Sequence, residues 1–101
     1  MVDRIGQRQT PRVDGNVVID SPLHPKVDVV TSRGDDIANQ RVALPPGKQT
    51  LLLRDGKVDC QRLTIDVPAN GDVLFVFVGG EANVYPDRCR KLSVQQRRLA
   101  F

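Results

Sequence analysis

Two glycine-bearing dipeptides, Asp55-Gly56 and Asn70-Gly71, cut the middle of the chain into apolar runs of strand length. Such dipeptides readily supply the positive φ that tight hairpin turns require. Between them lies Leu63-Thr64-Ile65-Asp66-Val67, where every second residue is apolar, the pattern of a strand with one buried face. The order Leu44-Pro45-Pro46-Gly47, then Gln49 to Arg54, Lys57 to Val67 and Asp72 to Val78 predicts one continuous antiparallel meander. Val73-Leu74-Phe75-Val76-Phe77-Val78 is apolar in both phases, which predicts a central strand covered on both sides. Cys60 falls out of phase with Leu63, Ile65 and Val67, so either a bulge intervenes or Cys60 faces outward.

Upstream, Asn16 to Asp20 and Lys26 to Thr31 read as two more strands, the first stopped by Ser21-Pro22 and Pro25. Ser32-Arg33-Gly34-Asp35-Asp36 is a turn by composition, and Ile37 to Leu44 brings Val42 and Leu44 back into strand phase. With 101 residues there is room for one domain. Aromatic residues are limited to Phe75, Phe77, Phe101 and Tyr85, so the core must come from Val, Leu and Ile, which suit sheets. The expected fold is all-β, an antiparallel β-sandwich or partly open barrel of six or seven short strands. Its predicted core is Leu51, Leu53, Leu63, Ile65, Val67, Phe75 and Phe77, with Val17, Ile19, Val27 and Val29 from the first two strands.

Residues 1–14 hold three arginines and Pro11 and read as a flexible leader or edge segment, 15–86 as the sandwich domain, and 87–101 as a basic C-terminal arm. In the arm, Cys89, Leu92, Gln96 and Leu99 fall at helical spacing, favouring a short helix or irregular arm, although Lys91 to Gln95 also passes as a strand. The arm sets five cations (Arg88, Arg90, Lys91, Arg97, Arg98) against one acid, a net +4. Residues 1–86 set ten basic groups against eleven acidic ones, a net −1. The cations are candidates for contact with an anionic partner, and a solvated charged face is the plain alternative. Nucleic acid is disfavoured, because no aromatics interleave with the cations to stack bases.

Catalysis finds little to build on. The single histidine, His24, sits between Leu23 and Pro25 in an extended loop, with no nucleophile motif nearby. Asp35 and Asp36 are adjacent and point apart, unlike an acid–base pair. Gly79-Gly80 lacks the helix and lysine of a phosphate loop. Neither cofactor nor metal is expected, since one histidine and two distant cysteines do not make a metal site and the aspartates lack the spacing of a calcium loop. Arg33-Gly34-Asp35 is the tripeptide integrins read from exposed loops, but three residues recur easily by chance. Cys60 and Cys89 are expected to pair in a disulfide, two independent thiols being the alternative. No apolar run is long enough to span a membrane, and the N-terminus shows no apolar signal-peptide core.

Several of these elements resemble the PEGA domain, a small β-sandwich module of bacterial envelope and surface proteins. They are Val17-Val18-Ile19-Asp20-Ser21-Pro22, Leu44-Pro45-Pro46-Gly47-Lys48-Gln49-Thr50-Leu51-Leu52-Leu53, Asp55-Gly56, Leu63-Thr64-Ile65-Asp66-Val67 and Asn70-Gly71-Asp72-Val73. Transthyretin-like domains share much of this layout. Ser21-Pro22-Leu23-His24-Pro25 lacks the signature tetrapeptide itself. The resemblance implies an Ig-like sandwich, a binding or scaffolding role and no catalytic residues. The expected function is therefore a non-catalytic protein- or glycan-interaction module of a bacterial envelope or secretion assembly, periplasmic or extracellular if a leader precedes Met1. The alternatives are a cytoplasmic or virion structural protein using its basic arm, and a small secreted enzyme inhibitor. Self-association through an edge strand fits any of them.

Overall fold

A computed structural model describes residues 14–69, 71–81 and 87–100. Seven strands are present: β1 (Gly15–Asp20), β2 (Asp28–Val30), β3 (Arg41–Leu44), β4 (Gly47–Asp55), β5 (Val58–Val67), β6 (Val73–Gly80) and β7 (Leu92–Leu99). They form a four-stranded sheet in the order β3-β1-β6-β7 and a three-stranded sheet in the order β2-β4-β5. Among the described residues the one helical piece is a 3-10 turn at Asp87–Lys91, and no helix is long and apolar enough to cross a membrane. The expected all-β sandwich of short strands is the observed fold.

Alternation builds the core. Val17 and Ile19 of β1 point inward, with Leu51 and Leu53 of β4, Ile65 and Val67 of β5, and Leu74, Val76 and Val78 of β6. Val27 and Val29 close one side, helped by Leu23, Ile37 and Ala38 from the loops. These side chains are aliphatic, and their burial is the main stabilising term.

The β4–β5 hairpin is where the sequence placed it. Asp55 pairs with Val58 across a two-residue loop, Gly56-Lys57. Gly56 has φ 64°, and Lys57 is not among the positive-φ residues. The sign pattern is that of a type II′ turn, with Gly first, rather than the type I′ turn that Asp-Gly at its centre suggests. The ladder slips between Leu53 and Arg54, leaving Cys60 as the extra residue of a bulge. That restores Leu63, Ile65 and Val67 to the inward phase and turns Cys60 toward the core margin.

Three expectations need correction. The meander does not continue past β5: Val67 pairs with Gly47, Pro68 offers no N–H to extend the ladder, and the chain crosses to the other sheet. Asn70 of the second turn lies outside the described residues. There β6 runs parallel to β1 (Asn16↔Val73 to Asp20↔Phe77) and antiparallel to β7, so it is central, as expected. Phe75 and Phe77, however, are 37% and 39% exposed. Residues opposite one another share a face, so the inward set Val17 and Ile19 brings Leu74 and Val76 inward with it. Leu63 is only partly buried at the edge of the cluster. Lastly, the C-terminal segment is a strand, not a helix. Pairing from Gly80↔Leu92 to Val73↔Leu99 satisfies a full ladder, which outweighs the weak helix preference of Gln95 to Leu99. The leader (bar Asp14), residues 82–86 and Phe101 lie outside the described residues.

Candidate functional site

The two outer sheet faces differ in kind. On the three-stranded sheet, register sets Asp28 beside Arg54 and Arg54 beside Asp59, with Lys48 beside Asp66 and Thr50 beside Thr64. Arg54 Nε lies 3.1 Å from Asp59 Oδ1. Apart from the row of half-buried Val30 and Leu52 with exposed Arg62, opposite charges alternating across strands make an ordinary solvated surface.

The four-stranded sheet presents another surface. One row across all four strands reads Arg41, Val18, Phe75, Arg97, and the next reads Asp20, Phe77, Gln95. Leu99, 38% exposed, follows Arg97 on the same face of β7. Two shallow grooves flank Phe75. One is lined by Asp20, Phe75, Phe77, Gln95, Arg97 and Leu99. The other is lined by Val18, Asp20, Asn39, Gln40, Arg41 and Phe75. Gly79 leaves room for the neighbouring ring: a Cβ there would lie 2.5 Å from Phe77 Cε2. Asn39, at φ 61°, accepts from Ser21 N at 2.7 Å and donates to Ser21 O at 3.1 Å. Ile19 N donates to Gln40 O at 3.0 Å. These bonds fix the lead into β3 against the end of β1, and with it the positions of Arg41 and Asp20.

The described cations of the C-terminal segment do not converge. Alternation along β7 sends Arg97 to the outer face, while Arg98 donates to Asp72 Oδ2 at 3.1 Å from the other side. Lys91 lies 4.0 Å from Glu81, and Arg90 is exposed in the 3-10 turn. The Arg88 side chain lies outside the description. The residues that sequence reasoning missed are Val18, Asp20, Arg41, Gln95 and Leu99, together with the exposure of Phe75 and Phe77. The available signal was parity, since Phe75 and Phe77 share a phase with Gly79, but it points outward only once β1 is known to pair with β6.

Cys60 and Cys89 are held at disulfide distance, with Cα atoms 5.0 Å apart. Cys60 lies on an edge strand of one sheet, and Cys89 precedes an edge strand of the other. On the same side, Gln96 Nε2 donates to Thr64 O at 3.4 Å.

The other sequence candidates take up separate places. Arg33-Gly34-Asp35 is exposed in a three-residue loop, closed by Thr31 N to Asp35 O and Gly34 N to Thr31 O, each 2.9 Å, with Gly34 at φ 92°. This is a type I turn followed by a left-handed glycine. His24 is exposed beside a cis Pro25. Among the described residues no group of three or more His, Cys, Asp or Glu is arranged to hold a metal ion.

Asp36 is structural. Its Oδ1 accepts from Val29 N (3.1 Å) and Ala38 N (3.0 Å), and its Oδ2 from Lys26 Nζ (2.6 Å). Partial burial pushes its pKa up, but the Lys26 bond and the two backbone N–H donors prevail and hold it below the ordinary 3.8. Its contribution to stability is therefore present above pH 3.8 and lost as pH falls through the lower folded value. Asp36→Ala is expected to cost about 1–2 kcal/mol at pH 7, after discounting for its exposure. The loss should shrink as pH falls through the lowered folded value, leaving the part due to the two backbone bonds. An equal loss at pH 7 and below that value would show that the carboxylate charge is not involved.

Searches against protein-family models, curated proteins and solved structures each found no match to this chain.

Proposed function

We propose that this domain is a non-catalytic protein-interaction module of a bacterial cell-envelope or secretion assembly. It meets its partner with the outer face of the β3-β1-β6-β7 sheet. The observation that carries this reading is the pair Phe75 and Phe77, more than a third exposed at the centre of a sheet and bracketed by Arg41 and Arg97. Exposed rings cost solvation unless something covers them, and aromatic residues with arginine are the usual anchors of protein interfaces. A protein suits this face better than a glycan, because phenylalanine rings offer no polar tip to a sugar hydroxyl. The envelope location draws support from the Cys60–Cys89 pair, which belongs to oxidising compartments, and from the PEGA-like order of motifs. The basic-arm alternative draws less support because strand alternation sends Arg97 and Arg98 to opposite faces of β7.

The test is site-specific photocrosslinking in the cell that makes the protein. A photoreactive residue at Phe77 should yield a discrete crosslinked product, and one at Thr64 on the other sheet should not. Equal yields from both positions, or none from Phe77, would remove the assignment of this face.

A further inference from the structure

We infer that the occupant of this face is a second copy of this chain, docked sheet to sheet about a two-fold axis. The inference rests on the reading of the face as a contact surface and adds the identity of the partner. A two-fold interface must be complementary to itself, each patch meeting the same patch. This one is, at the two charges that flank its rings, Asp20 and Arg97.

Asp20 lies beside Phe77 on the β1 side, and Arg97 lies beside Phe75 on the β7 side. With strands ~4.8 Å apart and residues rising ~3.3 Å, these two charges occupy opposite corners of a rectangle roughly 10 Å by 7 Å. Phe75 and Phe77 stand on its midline. A two-fold axis in the plane of contact, perpendicular to that diagonal, exchanges the corners. Asp20 of each copy then faces Arg97 of the other, and two ion pairs form at once. The same rotation crosses the strands of the two sheets at roughly 70°. It swings Phe77 of the second copy over the gap between β6 and β7, where Phe75, Phe77, Gln95 and Arg97 line one groove. Phe75 swings over the gap between β1 and β6, at the margin of the groove that Val18, Asp20 and Phe75 share with Asn39, Gln40 and Arg41. Ring ridges thus meet grooves on both sides of the axis. A foreign partner would have to supply this pattern independently, whereas a second copy carries it already.

The face is small. Four strands over a few rows offer about half of the ~800 Å² per partner that stable complexes bury. A weak, reversible dimer follows, with a dissociation constant on the order of 10–500 µM.

Sedimentation equilibrium on the full purified, oxidised chain up to about 1 mM tests this, with 0.15 M salt to limit non-specific charge effects. The wild type should form a dimer, and Phe77→Ser should weaken it more than tenfold while keeping the strand content of the wild type by circular dichroism. Asp20→Arg and Arg97→Asp should each weaken it several-fold, and the two together should restore it to within about threefold. A wild type that stays monomeric at 1 mM would overturn the inference. A dimer indifferent to Phe77→Ser and to both charge reversals would also overturn it, in favour of edge-strand pairing. A monomeric chain that still crosslinks from Phe77 to another protein in cells defeats self-association alone and leaves the assignment of the face intact.

Discussion

Val76→Asp is expected to abolish folding, while Phe77→Asp, the next residue along, should leave a folded domain of reduced stability. Val76 is fully buried, and Phe77 is 39% exposed. Removing the valine forfeits about 1.5–3 kcal/mol of burial. Placing a carboxyl group among Val17, Ile19 and Ile65 adds several kcal/mol more, whether it stays charged or takes up a proton. Against a total of about 5–15 kcal/mol for a domain of this size, that is most of the stability. Phe77→Asp gives up a ring that is 39% exposed and sets a second carboxylate opposite Asp20, at a cost of about 1–3 kcal/mol that a folded domain can survive. Circular dichroism and urea titration of the two variants decide the phase of β6. Similar behaviour of the pair, or the reverse order, would mean that β6 presents its other face.

Loss of the Cys60–Cys89 bridge is the second large effect expected. The pair is separated by 29 positions, and closing a loop of that length removes about 3–4 kcal/mol of unfolded-state entropy on the chain-entropy model. At about 4–8 °C per kcal/mol, the Cys60→Ser/Cys89→Ser protein should melt roughly 12–30 °C lower than the oxidised wild type. Reductant should lower the wild type by a similar amount and leave the variant unmoved. The loss should be shared by the whole domain rather than confined to the C-terminal segment, because β7 keeps its ladder to β6 whether or not the sulfurs are joined. Thiol titration of the denatured, unreduced protein is the direct check. Two free thiols, with a melting point indifferent to reductant, would remove both the bridge and its support for an oxidising compartment.

What the sequence disclosed follows from which signals are local. The β4–β5 hairpin was legible because Asp55-Gly56 sits between alternating runs, and the bulge because Cys60 breaks the phase of Leu63, Ile65 and Val67. β1 and β2 were legible from Val17 and Ile19, and from Val27 and Val29. The pairing of Cys60 with Cys89 followed from an even count in a small β-domain. Sheet membership is not local. Nothing between Val67 and Val73 announces that the chain changes sheets, and the parity of a strand apolar in both phases does not say which phase faces inward until its neighbour is known. The candidate face was therefore hidden: its rings were assigned to the interior for want of knowing β6's neighbour. In the C-terminal segment, helical spacing and strand alternation competed over the same few residues, and the open edge of β6 decided between them.

The parallel contact between β1 and β6 also bears on how the domain comes into being. β1 lies between β3 and β6, so both of its partners follow it in the chain. The β4–β5 hairpin can close within microseconds of its synthesis. The four-stranded sheet must wait until Val73 to Gly80 has been made, and it then bears the entropy of a long loop. A chain delivered N-terminus first, from a ribosome or through a translocation pore, carries Val17 and Ile19 exposed for most of its passage. Its four-stranded sheet closes only when β6 arrives to pair along the edge of β1.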